Sequence, residues 1–578
     1  MTRRARLVLW LLPVLSALGC HAPHAKAPPR DSATTCGRFA NEVDALFSET
    51  AKLELASHLR LAAGKSAEGH IARVIATFEG IARSSALAQK TACEDAFVRH
   101  TTPATVYEKK AACARVVLAS ERALLQAIQN PSRETVWNLD DALDTIGVDA
   151  TDCQKESAYA GFTPSQSDDP ADDETAERAA GEARAYAALA DQPRAKQAIA
   201  QGMAAAQRSE VPGLLVELLL PDPRAFDGPK GNATLVEQAT LAKRIAERAA
   251  WPDGVRRSVR QLGLAAESRR DRAEALSWYE QEVALCEKLR DPSDRRTVIA
   301  YADVASANSA LGKDAEALAS QLKSVAAAER NAGSLAASTG GAYDSLGFIL
   351  HHQGKDTEAL ARLRQAQDAW QRALGDDHPL VAHAFVGMAK VSQALGQHAE
   401  ALESYRKALV IREEALGPHH LDTAQSHSDL AMEYFGQRQY EDARGHFEEA
   451  LATQASILGK DHPTTANTQN NLGAACYELH EYDQATAALE AALSVFERAP
   501  DDQLERIAII TRNLAAISED QQRDAAAVAW YDRSLTTWEK LPGKPSPRAE
   551  NTRDALSGLC TRRGYAPACQ MLKRHPER

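Results

Sequence analysis

Three histidines recur at one position of a repeating pattern: His378, His420 and His462 stand 42 residues apart. Imidazoles in register could form a metal ladder, since neutral histidine is a common ligand of transition metals. Distance argues against it. Units stacked on the order of 10 Å apart cannot share an ion whose ligands stand about 2 Å away. His378 and His462 are each followed by Pro, which fits the start of a helix: Pro opens the first turn and a side chain satisfies unpaired N–H groups. The adjacent pair His351-His352 points to different helix faces and makes no chelate. No H-E-x-x-H, G-x-S-x-G or Walker run occurs in the 578 residues, and Gly340-Gly341 lacks the strand–turn–helix context of a phosphate loop. Glu413-Glu414 and Glu448-Glu449 read as surface charge rather than an acid/base dyad. The expectation is a protein that is not an enzyme, with no catalytic residue, metal, cofactor or small-molecule substrate.

Nine cysteines offer a second chemistry. Cys36, Cys93, Cys113 and Cys153 cluster before the regular pattern; in an exported chain they form two disulfides, with three pairings open. Cys560 and Cys569 bracket the last turn and make a third candidate pair, in a segment that looks like the end of a Sel1-type hairpin. Cys286 and Cys476 fall inside periodic helices and read as small buried apolar residues. The absence of any C-x-x-C run disfavours zinc.

Export is suggested by Arg3, Arg4 and Arg6 ahead of the apolar run Leu7–Leu18, which ends at Ala17-Leu18-Gly19-Cys20. The run is shorter than the roughly 20 residues of a membrane-spanning helix. With Cys20 at the junction, residues 1–19 resemble a bacterial lipoprotein signal, although Ala17 stands where leucine is commoner. The resemblance implies acylation of Cys20, followed by a Pro-containing tether over 20–35. His21, in place of the aspartate that retains some lipoproteins at the inner membrane, implies an outer-membrane anchor facing the periplasm of a Gram-negative bacterium. That lipid would be the chain's only attachment to a membrane. A net charge of −12 disfavours nucleic acid, which needs a basic face.

The elements that must position all this repeat. Ala275, Ala317, Ala359, Ala401, Ala443, Ala485 and Ala527 are spaced by 42 residues, and thirteen residues before each stands Leu262, Val304, Leu346, Met388, Leu430, Leu472 or Leu514. A small residue follows every member of the second column, from Gly263 to Ala515. Such a period marks stacked units that bury their apolar faces only against neighbours. Within 459–500, helical spacing predicts helices over Thr465–Leu479 and Gln484–Arg498 with a turn at 480–483. Gly473 and Ala485 are expected where the two axes approach most closely.

These units resemble the 42-residue tetratricopeptide repeats of kinesin light chains and bacterial scaffolds. Gly375-Asp376-Asp377-His378-Pro379, Gly417-Pro418-His419-His420 and Gly459-Lys460-Asp461-His462-Pro463 repeat that family's linker, and Asn471-Leu472-Gly473 and Asn513-Leu514-Ala515 its signature. Tyr405, Phe447 and Tyr531 stand in its aromatic column, where Gln321 departs from it. The resemblance implies an all-α, right-handed superhelical solenoid of antiparallel helix hairpins, with seven units over 252–543. Around it are expected a helical domain with disulfides at 36–162, a linker at 163–173, degenerate repeats at 174–251 and capping helices at 544–578. In that family the first helix of each unit lines the concave face, so Asp429, Asn467, Asn470, Asn471, Arg512 and Asn513 are candidates to bind a peptide. The implied function is an envelope scaffold that holds a protein or peptide partner. The alternative is a sensory ectodomain, because the placement of the cysteines before repeats resembles kinase-linked bacterial arrays that carry a kinase motif absent here.

Overall fold

A computed structural model describes residues 48–575 except 64–66, 130, 138, 140–141, 144–152, 154–155, 164–166, 168, 190, 221–227, 290–294, 334–335, 499–502, 542–546 and 563. The expected signal, Cys20, the tether and Cys36 lie outside the described residues. Every regular element among those described is a helix, as expected for an all-α chain. Two compact units divide in sequence between Leu380 and Val381, inside the repeat array.

The first unit opens with α1 (Glu49–Ala63), α2 (Glu68–Phe97), α3 (Ala104–Ala127), α4 (Arg133–Trp137) and α5 (Glu156–Tyr159). A disulfide joins Cys113 of α3 to Cys153, and Cys93 is disulfide-bonded as well. Next come α6 (Pro170–Ala188), α7 (Gln192–Ser209), α8 (Pro212–Leu219) and α9 (Gly228–Arg248). The expected linker at 163–173 is cut short at Pro170: the Asp169 carboxylate accepts the Ala171 N–H, and acids fill the first turn of α6. The cysteine-bearing α3 also packs closely on α6. At Gly181 of α6 a β-carbon would stand 2.4 Å from the Ala119 β-carbon of α3, and Arg115 pairs with Glu177 at 2.6 Å. Bare backbone at that crossing lets the two helices share one core.

Seven hairpins follow: α10 (Pro252–Ser268) with α11 (Arg272–Lys288), α12 (Arg295–Ala310) with α13 (Asp314–Ala332), α14 (Ala337–His352) with α15 (Asp356–Leu374), α16 (Pro379–Ala394) with α17 (His398–Leu416), α18 (Leu421–Gly436) with α19 (Tyr440–Ile457), α20 (Pro463–Glu478) with α21 (Tyr482–Phe496), and α22 (Leu504–Asp520) with α23 (Asp524–Trp538). The chain closes with α24 (Pro547–Arg562) and α25 (Ala566–Leu572), joined by the Cys560–Cys569 disulfide. Cys286 and Cys476 are buried. Tyr482 and Asp483, expected in a turn, begin α21 instead.

All seven alanines of the 42-residue column are buried, at 0–1% exposure. The leucine column is buried too, apart from half-buried Leu472, which packs against two neighbouring cores. The small residue after it explains itself at Gly473, where a β-carbon would lie 2.7 Å from Leu489 and 3.2 Å from the Ala485 carbonyl. A second period lies in the backbone. Arg270, Gly312, Gly354, Gly396, Arg438, His480 and Gln522, each 42 residues on from the last, all adopt positive φ between 60° and 72° at the hairpin turn.

Candidate partner-binding surface

The histidine column acts at helix starts. His378 Nδ1 accepts the Leu380 N–H at 3.2 Å, His420 Nδ1 that of Asp422 at 3.1 Å, and His462 Nδ1 that of Thr464 at 3.1 Å. Each thereby satisfies a donor that has no partner within the first helical turn. Among the described residues no three His, Cys, Asp or Glu side chains gather as a metal-holding group, and no helix is long and apolar enough to cross a membrane.

In the second unit the first helices of successive hairpins touch, α18 against α20 and α20 against α22. They form the scaffold of a strip. All six candidate residues are half-buried on these three helices: Asp429 on α18, Asn467, Asn470 and Asn471 on α20, Arg512 and Asn513 on α22. Half-burial matters, because it fixes a side chain while leaving polar atoms for a ligand.

The strip is already partly wired. Gln425 donates to Asp429 at 2.9 Å, Asn470 to the Asn471 amide oxygen at 3.1 Å, and Arg506 of α22 to the Asn467 oxygen at 2.9 Å. Burial pushes the Asp429 carboxyl above its usual range, against the opposing pull of Lys390, the Gln425 hydrogen bond and Arg412. The buried amide oxygens of Gln469 and Asn470 accept no hydrogen bond from the described residues. Asn471 is thus drawn to Asn470, and Asn467 to Arg506, rather than all six converging on one point. Gln425, Gln469 and Arg506 were absent from the sequence-based set. Gln425 was findable, standing 42 residues before Asn467; Arg506 was not, because only the stacking of α20 on α22 brings it there.

The first unit carries a different electrostatic pattern, buried rather than presented. Arg256 bonds Asp253 at 3.0 Å and Glu282 at 2.8 Å, Arg296 reaches Asp253 at 3.0 Å, and Arg260 reaches Asp303 at 2.9 Å. Burial opposes charge on Asp253, but Arg256, Arg296 and Arg257 outweigh it and hold the carboxyl at about 2. At Glu282 burial wins over Arg256 and Arg260 and lifts the carboxyl to about 7. These groups bind α10, α11 and α12 to one another.

Comparison with protein families matches tetratricopeptide repeats at residues 258–294, 338–409, 381–456 and 434–498. These stretches are tetratricopeptide repeats. The matches pass over the hairpin α12–α13, whose core position is filled by Gln321 donating to the Ala342 carbonyl at 2.9 Å. Comparison with curated proteins returns no match. Among solved structures the chain is similar to BtubC (BKLC) from P. vanneervenii, at 25% identity over 40% of this chain and 93% of that one, TM-score 0.36. It is also similar to a putative kinesin light chain from Podosopora anserina, at 23% identity over 36% of this chain and 98% of the other, TM-score 0.33. A third is the apo quorum sensor NprR from B. thuringiensis, at 13% identity over 63% and 99% of the two chains, TM-score 0.44.

Proposed function

We propose that this protein is a non-catalytic scaffold of the cell envelope that holds a peptide or partner protein along the first helices of its second unit. The observation that carries the proposal is the strip of half-buried polar side chains on three stacked first helices, Asp429 on α18, Asn467, Asn470 and Asn471 on α20, and Arg512 and Asn513 on α22. An amide both donates and accepts, so a row of them matches the alternating N–H and C=O groups of an extended chain. Arg506 and Arg512 add cations at one end of the row. Lipidation of Cys20 would hold the scaffold at the outer membrane, facing the periplasm, through its acyl chains alone.

A photo-crosslinking amino acid at position 471, in the full chain in native membranes, tests the surface. Recovery of one stoichiometric partner, reduced in the Asn467→Ala/Asn513→Ala variant with an unchanged circular-dichroism melt, supports the assignment. Undiminished capture by that variant refutes it. Mass spectrometry of the mature amino terminus tests the anchor: an unmodified Cys20, or a terminus elsewhere, removes that part.

A further inference from the structure

His427 of α18 and His446 of α19 face each other with Nδ1 atoms 2.9 Å apart. Their rings lie 5.1 Å apart, and His446 stacks on Tyr434 at 5.5 Å with an interplanar angle of 5°. Arg406 of α17 donates to the Tyr434 hydroxyl at 2.7 Å, and Glu413 of α17 stands 3.5 Å from His427 Nε2. Three helices from two successive hairpins therefore meet at one pair of imidazoles.

We propose that this pair is a proton-sensitive joint, closed near neutral pH and opened by acid. Two nitrogens at this distance hold one hydrogen between them; one must donate and the other accept. One imidazole presents a bare Nδ1 to the Nδ1–H of the other; with His427 as the acceptor, its Nε2–H lies on the side of Glu413. A first added proton can go to His446 Nε2 and leave the bond intact. A second must go to His427 Nδ1, which sets two N–H groups face to face between two cations. The bond then breaks, and α18 separates from α19 at that point.

The surroundings favour the neutral pair. Burial lowers the affinity of both imidazoles for a proton. His427 and Arg406 add to this at His446, while Asp442 and Glu413 oppose it there and Glu449 opposes it at His427. On α20, which packs against α19, the titratable Cys476, Tyr477 and Glu478 interact instead with Arg444, Asp520 and Tyr440. The device belongs to one hairpin only: the positions 42 residues before, 42 after and 84 after hold Phe385, Gln469 and Thr511 for His427, and Ser404, Ala488 and Trp530 for His446. Asp429 of the proposed strip lies two residues from His427 on the same helix, so opening the joint would disturb that surface.

The sign is fixed by linkage. The folded state holds these protons more weakly than the unfolded chain, so their stabilisation is present above the ordinary histidine value near 6.5 and is lost as pH falls below it. Hydrogen exchange of the full chain, corrected for the intrinsic pH dependence of exchange, reads it out. For one fully excluded proton the opening constant of α18 and α19 amides should rise roughly 20-fold between pH 7 and 5. The amides of α22 and α23, where Thr511 and Trp530 replace the pair, supply the internal reference. His427→Gln, which installs the residue found at 469, should remove the excess rise. No excess in the wild type, or the same excess in the variant, overturns the proposal. If His427→Gln loosens the hairpin at pH 7.5, His446→Ser takes its place, and an NMR titration of the wild-type imidazoles decides independently. Two uncoupled titrations near the ordinary histidine value would sink the idea.

Discussion

Replacing Gly473 by alanine sets two effects against each other. In mid-helix, alanine is favoured over glycine by about 1 kcal/mol. At Gly473 the new methyl carbon would stand 2.7 Å from Leu489 Cγ, 3.1 Å from its Cδ2 and 3.2 Å from the Ala485 carbonyl oxygen. Carbon atoms pack best at about 3.5–4.0 Å. Leu489 is fully buried in a cluster with Ala485, Ala492 and Leu493, so it can retreat only by displacing them. Overpacking of this kind costs about 1–3 kcal/mol. Gly445 supplies the control: it is exposed within α19, with nothing within 4 Å of where its β-carbon would be. The propensity gain is common to both substitutions, so the packing cost alone is their difference, about 1–3 kcal/mol in favour of Gly445→Ala. A stack of near-neighbour units does not unfold as one two-state event. The measurement is therefore native-state hydrogen exchange, on α20 and α21 for one variant and on α19 for the other. Adding Leu489→Ala to Gly473→Ala should relieve the clash and show coupling between the two sites. If Gly473→Ala proves as favourable as Gly445→Ala, the close approach of α20 and α21 is wrong.

Three further outcomes are expected. Arg438, His480 and Gln522 hold the left-handed conformation at hairpin turns where Gly354 and Gly396 hold it freely, so Arg438→Gly, His480→Gly and Gln522→Gly should each raise local exchange protection by about 1 kcal/mol. Glu121 is buried beside Ser85, and burial lifts its carboxyl to about 7 against that hydrogen bond. A raised carboxyl stabilises fully below the unfolded value of about 4.3 and loses that contribution as pH rises through 7, so Glu121→Gln should raise exchange protection of α2 and α3 at pH 8.5 and not at pH 4.5. Removing the Cys560–Cys569 disulfide frees a short loop and should lower protection of α24 and α25 by about 2–3 kcal/mol, with α18 to α21 unaffected.

What could be read beforehand was whatever repeats. The alanine column, the small residue facing Leu489 and the capping histidines each serve a local contact that recurs every 42 residues, declared by seven copies of the first two and three of the last. The disulfide at Cys560 and Cys569 was legible because the two cysteines bracket one short turn. Contacts made once leave no such trace. The His70 ring stacks on Trp137 at 4.5 Å and lies 5.5 Å from His378, so α2 and α4 reach the linker before α16 across some 300 residues of sequence. Nothing in the spacing of those residues announces it. The shared core of α3 and α6 was hidden for the same reason, since a lone glycine at 181 carries no period.

The same logic separates packing from function within the array. A position that holds one kind of residue in all seven hairpins must meet a demand common to all, and that demand is the nesting of two helices. A partner, by contrast, can be distinguished only at positions where the hairpins differ. The column of Gly387, Asp429, Asn471 and Asn513 varies in chemistry while its neighbours at Met388, Leu430, Leu472 and Leu514 stay apolar, and the varying column stands half-exposed from Asp429 onward. His427 and His446 are departures of the same kind, each filled by a non-titrating side chain in the adjoining hairpins. The departures meet on α18, which carries both Asp429 and His427 and therefore joins the half-buried polar strip to the imidazole pair. An acid-opened contact behind that helix and a ligand in front of it would act on one element, and whatever coupling passes through α18 is reciprocal: acid that weakens the ligand's hold implies a ligand that favours the closed pair by the same free energy.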